Sequence, residues 1–75
     1  MNRELTINAR WDTEAGVWLA TSMDIPGLVV EAPSWPAMID EVRLILPDLL
    51  DLNGERSKGL SLTFRAEEHL DLASA

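Results

Sequence analysis

Between Trp35 and Leu52 the apolar residues fall at Trp35, Met38, Ile39, Val42, Ile45, Leu46, Leu49 and Leu52. Those steps of three and four are the period of one helix face. Asp40, Glu41, Arg43, Asp48 and Asp51 fall mainly on the other side. Ser34 is placed to cap the helix, its hydroxyl accepting from an unpaired amide of the first turn. Pro36 sits within that turn, where a missing N–H costs little. Asn53-Gly54 closes the run, with Gly54 suited to the left-handed conformation of a C-cap. The pattern predicts a helix over about 35–52. Pro47 lies inside it, and a helix-interior proline costs ~3 kcal/mol or more through a lost bond and a clash with the preceding turn. Because the apolar spacing continues past it, we expect a kink near Arg43–Leu46 and a bent last segment, Asp48–Leu52. Two helices separated at Pro47 are the other solution.

The rest of the chain alternates. Leu5, Ile7, Ala9 and Trp11 interleave with Thr6, Asn8 and Arg10, the period of a strand with one buried face, over about 5–11. Asp12–Gly16 is a loop, and a second strand over about 17–22 completes a hairpin. In Ile25-Pro26-Gly27-Leu28, Pro-Gly is the preferred central pair of a type II turn. A third strand, about 28–32, is ended by Pro33, which cannot continue a ladder. After a polar loop, Leu60, Leu62, Phe64 and Ala66 alternate with Ser61, Thr63 and Arg65, a fourth strand over about 60–66. Residues 67–75 form a weakly patterned tail expected to fray. The expected architecture is one α+β domain over 1–75, in the order β-β-β-α-β. A three-stranded antiparallel meander carries a fourth edge strand, and one long Pro-kinked helix covers one face. The edge on which the fourth strand pairs is not readable from this pattern.

One helix covers one face of a sheet. Leu5, Ile7, Trp11, Trp18, Ala20, Leu28, Val30, Leu60, Leu62 and Phe64 are expected beneath it. The opposite face is then mostly polar, except for Val17, Leu19 and Val29. If these three adjoin, they form a contiguous apolar patch of the kind that marks a partner or a second subunit. They are the candidate oligomer interface. Small size points the same way, because a short chain buries only about 60% of its unfolded surface. With no cysteine, neither disulfides nor a thiolate metal site can staple it. A homo-oligomer, dimer or higher, is therefore expected.

Charge narrows the partners. Six basic residues stand against thirteen acidic ones, a net charge of −7. The cations are scattered singly, whereas nucleic-acid binders concentrate Lys and Arg against phosphates. Direct nucleic-acid binding is not expected. A basic protein partner fits, because opposite net charges speed encounter; acidity that merely keeps a small protein soluble is the plainer explanation. The sequence contains no run of signal-peptide or membrane-span length, which makes the cytoplasm the expected compartment.

No arrangement of residues points to catalysis. His69, the sole histidine, lies in the tail without an orienting partner. Asp12 and Asp24 sit at opposite ends of the second strand, where Asp usually serves turns. Glycine spacing matches neither a dinucleotide fingerprint nor a phosphate loop. Trp11, Trp18 and Trp35 could line a ligand cage, but their strand and helix-start positions favour packing. No enzyme activity, catalytic residue, cofactor or metal is expected. A ribonuclease-H-like metal-dependent enzyme would need clustered carboxylates around a divalent ion, and the layout scatters them.

The run Trp11-Asp12-x-Glu14-x-Gly16-Val17-Trp18-x-Ala20-Thr21-Ser22-x-Asp24-Ile25-Pro26-Gly27-Leu28 resembles the signature of the DUF1902 family, as does Leu46-Pro47-Asp48-Leu49-Leu50-Asp51-Leu52-Asn53-Gly54. The resemblance covers about residues 5–66. That family is similar to the N-terminal domain of HicB antitoxins, which share a Gly-aromatic strand, an Asp-Leu/Ile-Pro-Gly turn, a strand and a helix. The resemblance implies a β-β-β-α-β fold, a partial version of the double-stranded-RNA-binding or ribonuclease-H-like architecture. It also implies a partner, the small basic HicA toxin, an mRNA-cleaving enzyme that the antitoxin masks. HicB antitoxins usually carry a C-terminal DNA-binding segment, which this sequence does not show, so operator binding is not expected.

The expected function is therefore a non-catalytic, HicB-like protein-interaction domain that docks an acidic surface on a basic toxin. Asp12, Glu14 and Asp24 at the hairpin ends, and Glu31 on the outer sheet face, are the candidate contacts; the sequence does not rank them above the helix acids. A structural oligomerisation domain built on Val17, Leu19 and Val29 is the alternative.

Overall fold

The structure, a computed structural model, describes residues 3–52, 54, 59–68 and 70–72. Its elements are strand β1 (Arg3–Asp12), strand β2 (Val17–Thr21), strand β3 (Val29–Ala32), helix α1 (Trp35–Leu52) and strand β4 (Leu60–Glu67). The strands form a single sheet in the order β3-β2-β1-β4. β2 is antiparallel to both β1 and β3, as the short turns require. β4 joins the free side of β1 and runs parallel to it. β3 and β4 therefore point the same way on opposite edges. Strands that run the same way need a long crossover between them, and α1 is that crossover.

The parallel partner also explains why β1 starts at Arg3 rather than Leu5. Arg3 pairs with Leu60 and its amide donates to the Gly59 carbonyl at 3.1 Å. The turn before β3 is the expected one. The Leu28 amide donates to the Ile25 carbonyl at 3.2 Å, and Gly27 sits at φ 87°, where a side chain would be strained.

Helix α1 begins as its cap residue dictates. Ser34 Oγ accepts from the Ala37 amide at 3.2 Å, and the Ser34 carbonyl accepts from Met38 at 2.9 Å. The helix then runs through Pro47 without interruption, so the two-helix solution does not hold. At its end the Gly54 amide donates to the Asp51 carbonyl at 3.1 Å. Asn53, His69, and residues 55–58 and 73–75 of the expected loop and tail lie outside the described residues.

The core is a sandwich of one sheet face and one helix stripe. Leu5, Ile7 and Ala9 of β1, Ala20 of β2, and Val30 and Ala32 of β3 pack with Met38, Val42, Leu46 and Leu50 of α1. Ile25 and Leu28 of the turn close one end. The buried stripe steps by four, which brings Leu50 inside and leaves Leu52 82 % exposed. At about 100° per residue, Leu52 stands roughly 200° around the helix from Leu50. It is the one apolar position of the predicted stripe that faces away.

α1 approaches β2 and β3 most closely, and the side chains of β1 are still sealed beneath it, but β4 lies at the margin of its cover. Leu60, Leu62 and Phe64 of β4 consequently pack only partly against the core and are half-buried. They share the inner face as expected, but the helix does not roof them.

Candidate interaction surface

Asp12 ends β1 and binds its own loop. Its Oδ1 accepts from the amides of Glu14 at 3.1 Å and Ala15 at 3.2 Å, and its carbonyl accepts from Gly16 at 2.7 Å. This is the Asx arrangement that makes aspartate a turn residue. Glu14 projects from the same loop, exposed.

Asp24 also serves the fold. The β1–β2 ladder extends only as far as Asn8↔Thr21. Beyond it, side chains replace backbone. Asp24 Oδ2 accepts from the Thr6 amide at 2.8 Å, and Ser22 Oγ donates to the Thr6 carbonyl at 2.6 Å. The Asp24 amide in turn donates to Ser22 Oγ at 3.0 Å. Ser22 was not among the candidates; the expected strand ran to it, whereas β2 ends at Thr21 and frees its side chain for this contact.

Asp12 and the Asp24 contact at Thr6 are six residues apart along β1, roughly 20 Å at about 3.4 Å per residue. The two do not form a carboxylate pair. Among the described residues, no group of three or more His, Cys, Asp or Glu side chains is placed to hold a metal ion.

The tryptophans form an edge-to-face chain. Trp11 and Trp18 lie 5.6 Å apart at 64°, Trp18 and Trp35 5.1 Å apart at 77°, and Trp35 and Phe64 6.3 Å apart at 72°. Rings in this geometry fill one another's faces. They join the hairpin, the helix start and β4 along the rim of the core.

The helix-free face is set by the strand registers. One row across it reads Glu67, Arg10, Leu19, Glu31, from β4 through β1 and β2 to β3. The next reads Arg65, Asn8, Thr21, Val29. Val17 faces out beside Leu19 on β2, and Val29 is diagonal to Leu19, so the three apolar candidates do adjoin. Val29 is the most prominent, 64 % exposed. Beside them the face is hollowed. A shallow cavity of about 580 Å³ is lined by Asn8 and Arg10 of β1, Leu19 and Thr21 of β2, and Arg65 and Glu67 of β4. The two arginines were not singled out in the sequence, although period-two alternation already placed both on this face.

The solvent side of α1 carries four further acids. Asp40, Glu41, Asp48 and Asp51 are all exposed. Among them stands Leu44, 71 % exposed. Asp40, Leu44 and Asp48 are spaced by four and share one side of the helix. No helix among the described residues is long and apolar enough to cross a membrane.

Comparison with known proteins agrees with this architecture. The model of a domain of unknown function, DUF1902, matches residues 4–72. Among solved structures, the chain is similar to a hypothetical protein, TTHA1013, from the extremely thermophilic bacterium Thermus thermophilus. The two are 38% identical with a TM-score of 0.72, covering 96% of this chain and 100% of that one. No curated protein matches.

Proposed function

The chain belongs to the DUF1902 family, and from that premise we propose that it is a non-catalytic binding module that masks a basic protein, in the manner of a HicB-like antitoxin on a HicA-type mRNA-cleaving toxin. One observation carries the reading: the outer side of α1 presents Asp40, Glu41, Asp48 and Asp51 to solvent around an exposed Leu44. An apolar anchor within a charged surround is how many binding surfaces combine affinity with orientation. The net charge of −7 adds steering toward a cationic partner.

The carboxylates are not equivalent in this reading. Asp12 and Asp24 accept backbone hydrogen bonds within the chain, so they contribute charge at a distance. Glu14 and the helix acids are left to meet the partner directly. Occlusion would then work by laying an acidic surface over the cationic groups with which a ribonuclease holds RNA phosphates.

The test is binding of the purified chain to a small basic ribonuclease of the HicA type, followed by calorimetry at low salt. Complex formation that weakens with salt is expected. Replacing the helix acids together (D40N, E41Q, D48N and D51N) should slow association by ~10-fold or more while leaving the fold intact. No binding at low salt would remove the proposal.

A further inference from the structure

We infer that the helix-free face of the sheet binds a second copy of this chain, about a two-fold axis that runs along β2 between the copies. The inference does not rest on the masking function proposed above. Its basis is the central row Arg10, Leu19, Glu31, fixed by the pairings Arg10↔Leu19 and Leu19↔Glu31. β1 and β3 flank β2 at equal spacing, about 4.8 Å to either side. A two-fold along β2 exchanges the two sides and keeps the height along the strands. It sets Leu19 against Leu19 of the other copy, and Arg10 of each copy against Glu31 of the other. The row is its own complement. Its two charges cancel, so the contact zone escapes the repulsion expected of two chains of net charge −7.

Shape repeats the argument independently of charge. The hollow is centred on β1, at Asn8 and Arg10. Val29 and Glu31, on the edge strand β3, are exposed. The same axis that pairs the charges lowers Val29 and Glu31 of one copy into the hollow of the other. Asn8 receives Val29, and Arg10 receives Glu31. Val17, next to Leu19 on β2, meets its own copy and extends the apolar centre. β4 overhangs, leaving Arg65 and Glu67 as the outer wall of the hollow. Two sheets packed face to face with their strands within about 30° of one another are an ordinary arrangement.

This isologous geometry has a consequence that a merely structural role for Arg10 or Glu31 would not produce. In R10E, each homodimer sets glutamate against glutamate at two places. In E31R, it sets arginine against arginine at two places. A heterodimer of the two variants restores opposite charges at both. Sedimentation equilibrium should therefore show the wild type dimerising, each single variant dimerising at least ~10-fold more weakly, and an equimolar mixture recovering to within about threefold of wild type. Both side chains are exposed, and circular dichroism of each variant checks that it folds. L19D places two carboxylates on the axis and should dissociate the dimer without rescue by either variant. A wild type that remains monomeric at about 1 mM, which would put any association weaker than about −4 kcal/mol, overturns the proposal. So does a mixture of folded R10E and E31R chains that associates no better than either alone.

Discussion

Asp24 Oδ2 accepts a hydrogen bond from the backbone amide of Thr6 at 2.8 Å, across eighteen positions of sequence. With Ser22 Oγ on the Thr6 carbonyl at 2.6 Å, it occupies both polar groups of a strand residue whose β2 neighbour has ended. Two side chains thus continue a ladder where the backbone turns away. They tie the Pro-Gly turn to β1, so the position of β3 depends on them.

Replacing Asp24 with alanine should cost about 1.5–2 kcal/mol, the lower part of the range for a hydrogen bond to a charged group, because the site is exposed. Asp24→Asn keeps an acceptor oxygen and should lose less than half of that. Urea unfolding of the two variants measures the difference. Equal losses would mean that charge, rather than acceptance from Thr6, is what the position supplies.

Much of this was visible in local pattern. Alternation located all four strands, and steps of three and four located α1. Cap and turn chemistry at Ser34 and at Pro26-Gly27 set boundaries, because those residues act on backbone within a few positions of themselves. What escaped was long-range. Nothing in Leu60–Ala66 says that it pairs with β1, or that it does so in parallel, since alternation is the same in either direction. Which edge of the sheet the helix leaves less covered is equally hidden, and Leu60, Leu62 and Phe64 are half-buried as a result. The candidate contacts divide the same way. Glu14 and Glu31 are exposed as expected, whereas Asp12 and Asp24 turn back onto backbone. The outer patch of Val17, Leu19 and Val29 could be anticipated, but the Arg10–Leu19–Glu31 row exists only once both registers are known.

The helix cap gives a cleaner local test. Ser34 Oγ accepts from Ala37 at 3.2 Å, so Ser34→Ala leaves that amide without its side-chain partner and should cost about 1 kcal/mol. Ser34→Asp keeps an acceptor and adds a charge that the helix N-terminus favours, so stability should be retained or rise by a few tenths of a kcal/mol. Thermal unfolding distinguishes the two. A neutral alanine variant would show that the cap bond contributes nothing in this setting.

Trp18 is the middle one of the three tryptophans, in contact with Trp11 at 5.6 Å and Trp35 at 5.1 Å. Edge-to-face pairs contribute about 0.5–1.5 kcal/mol each beyond burial, so Trp18→Leu should cost about 1–3 kcal/mol. Trp11→Leu breaks one such pair and should cost roughly half as much. Near-ultraviolet circular dichroism should fall more for the Trp18 variant than for the Trp11 variant. If the order is reversed, the chain is not organised around Trp18.

Pro47 is exposed and lies within an unbroken helix, so it contributes no core packing to offset its backbone defects. It lacks the N–H that would bond the Arg43 carbonyl, and its ring crowds that same group, a combined cost of ~3 kcal/mol in a helix interior. In the other direction, proline restricts the unfolded chain, which recovers about 0.4–1 kcal/mol. The helix terms are the larger, and Pro47→Ala should therefore stabilise the protein by about 2 kcal/mol. For a domain of this size that raises Tm by roughly 10 °C. Calorimetry decides it. A lowered Tm would mean that proline at this position helps to seat Leu46 and Leu50 on the sheet, since both are buried within one turn of it.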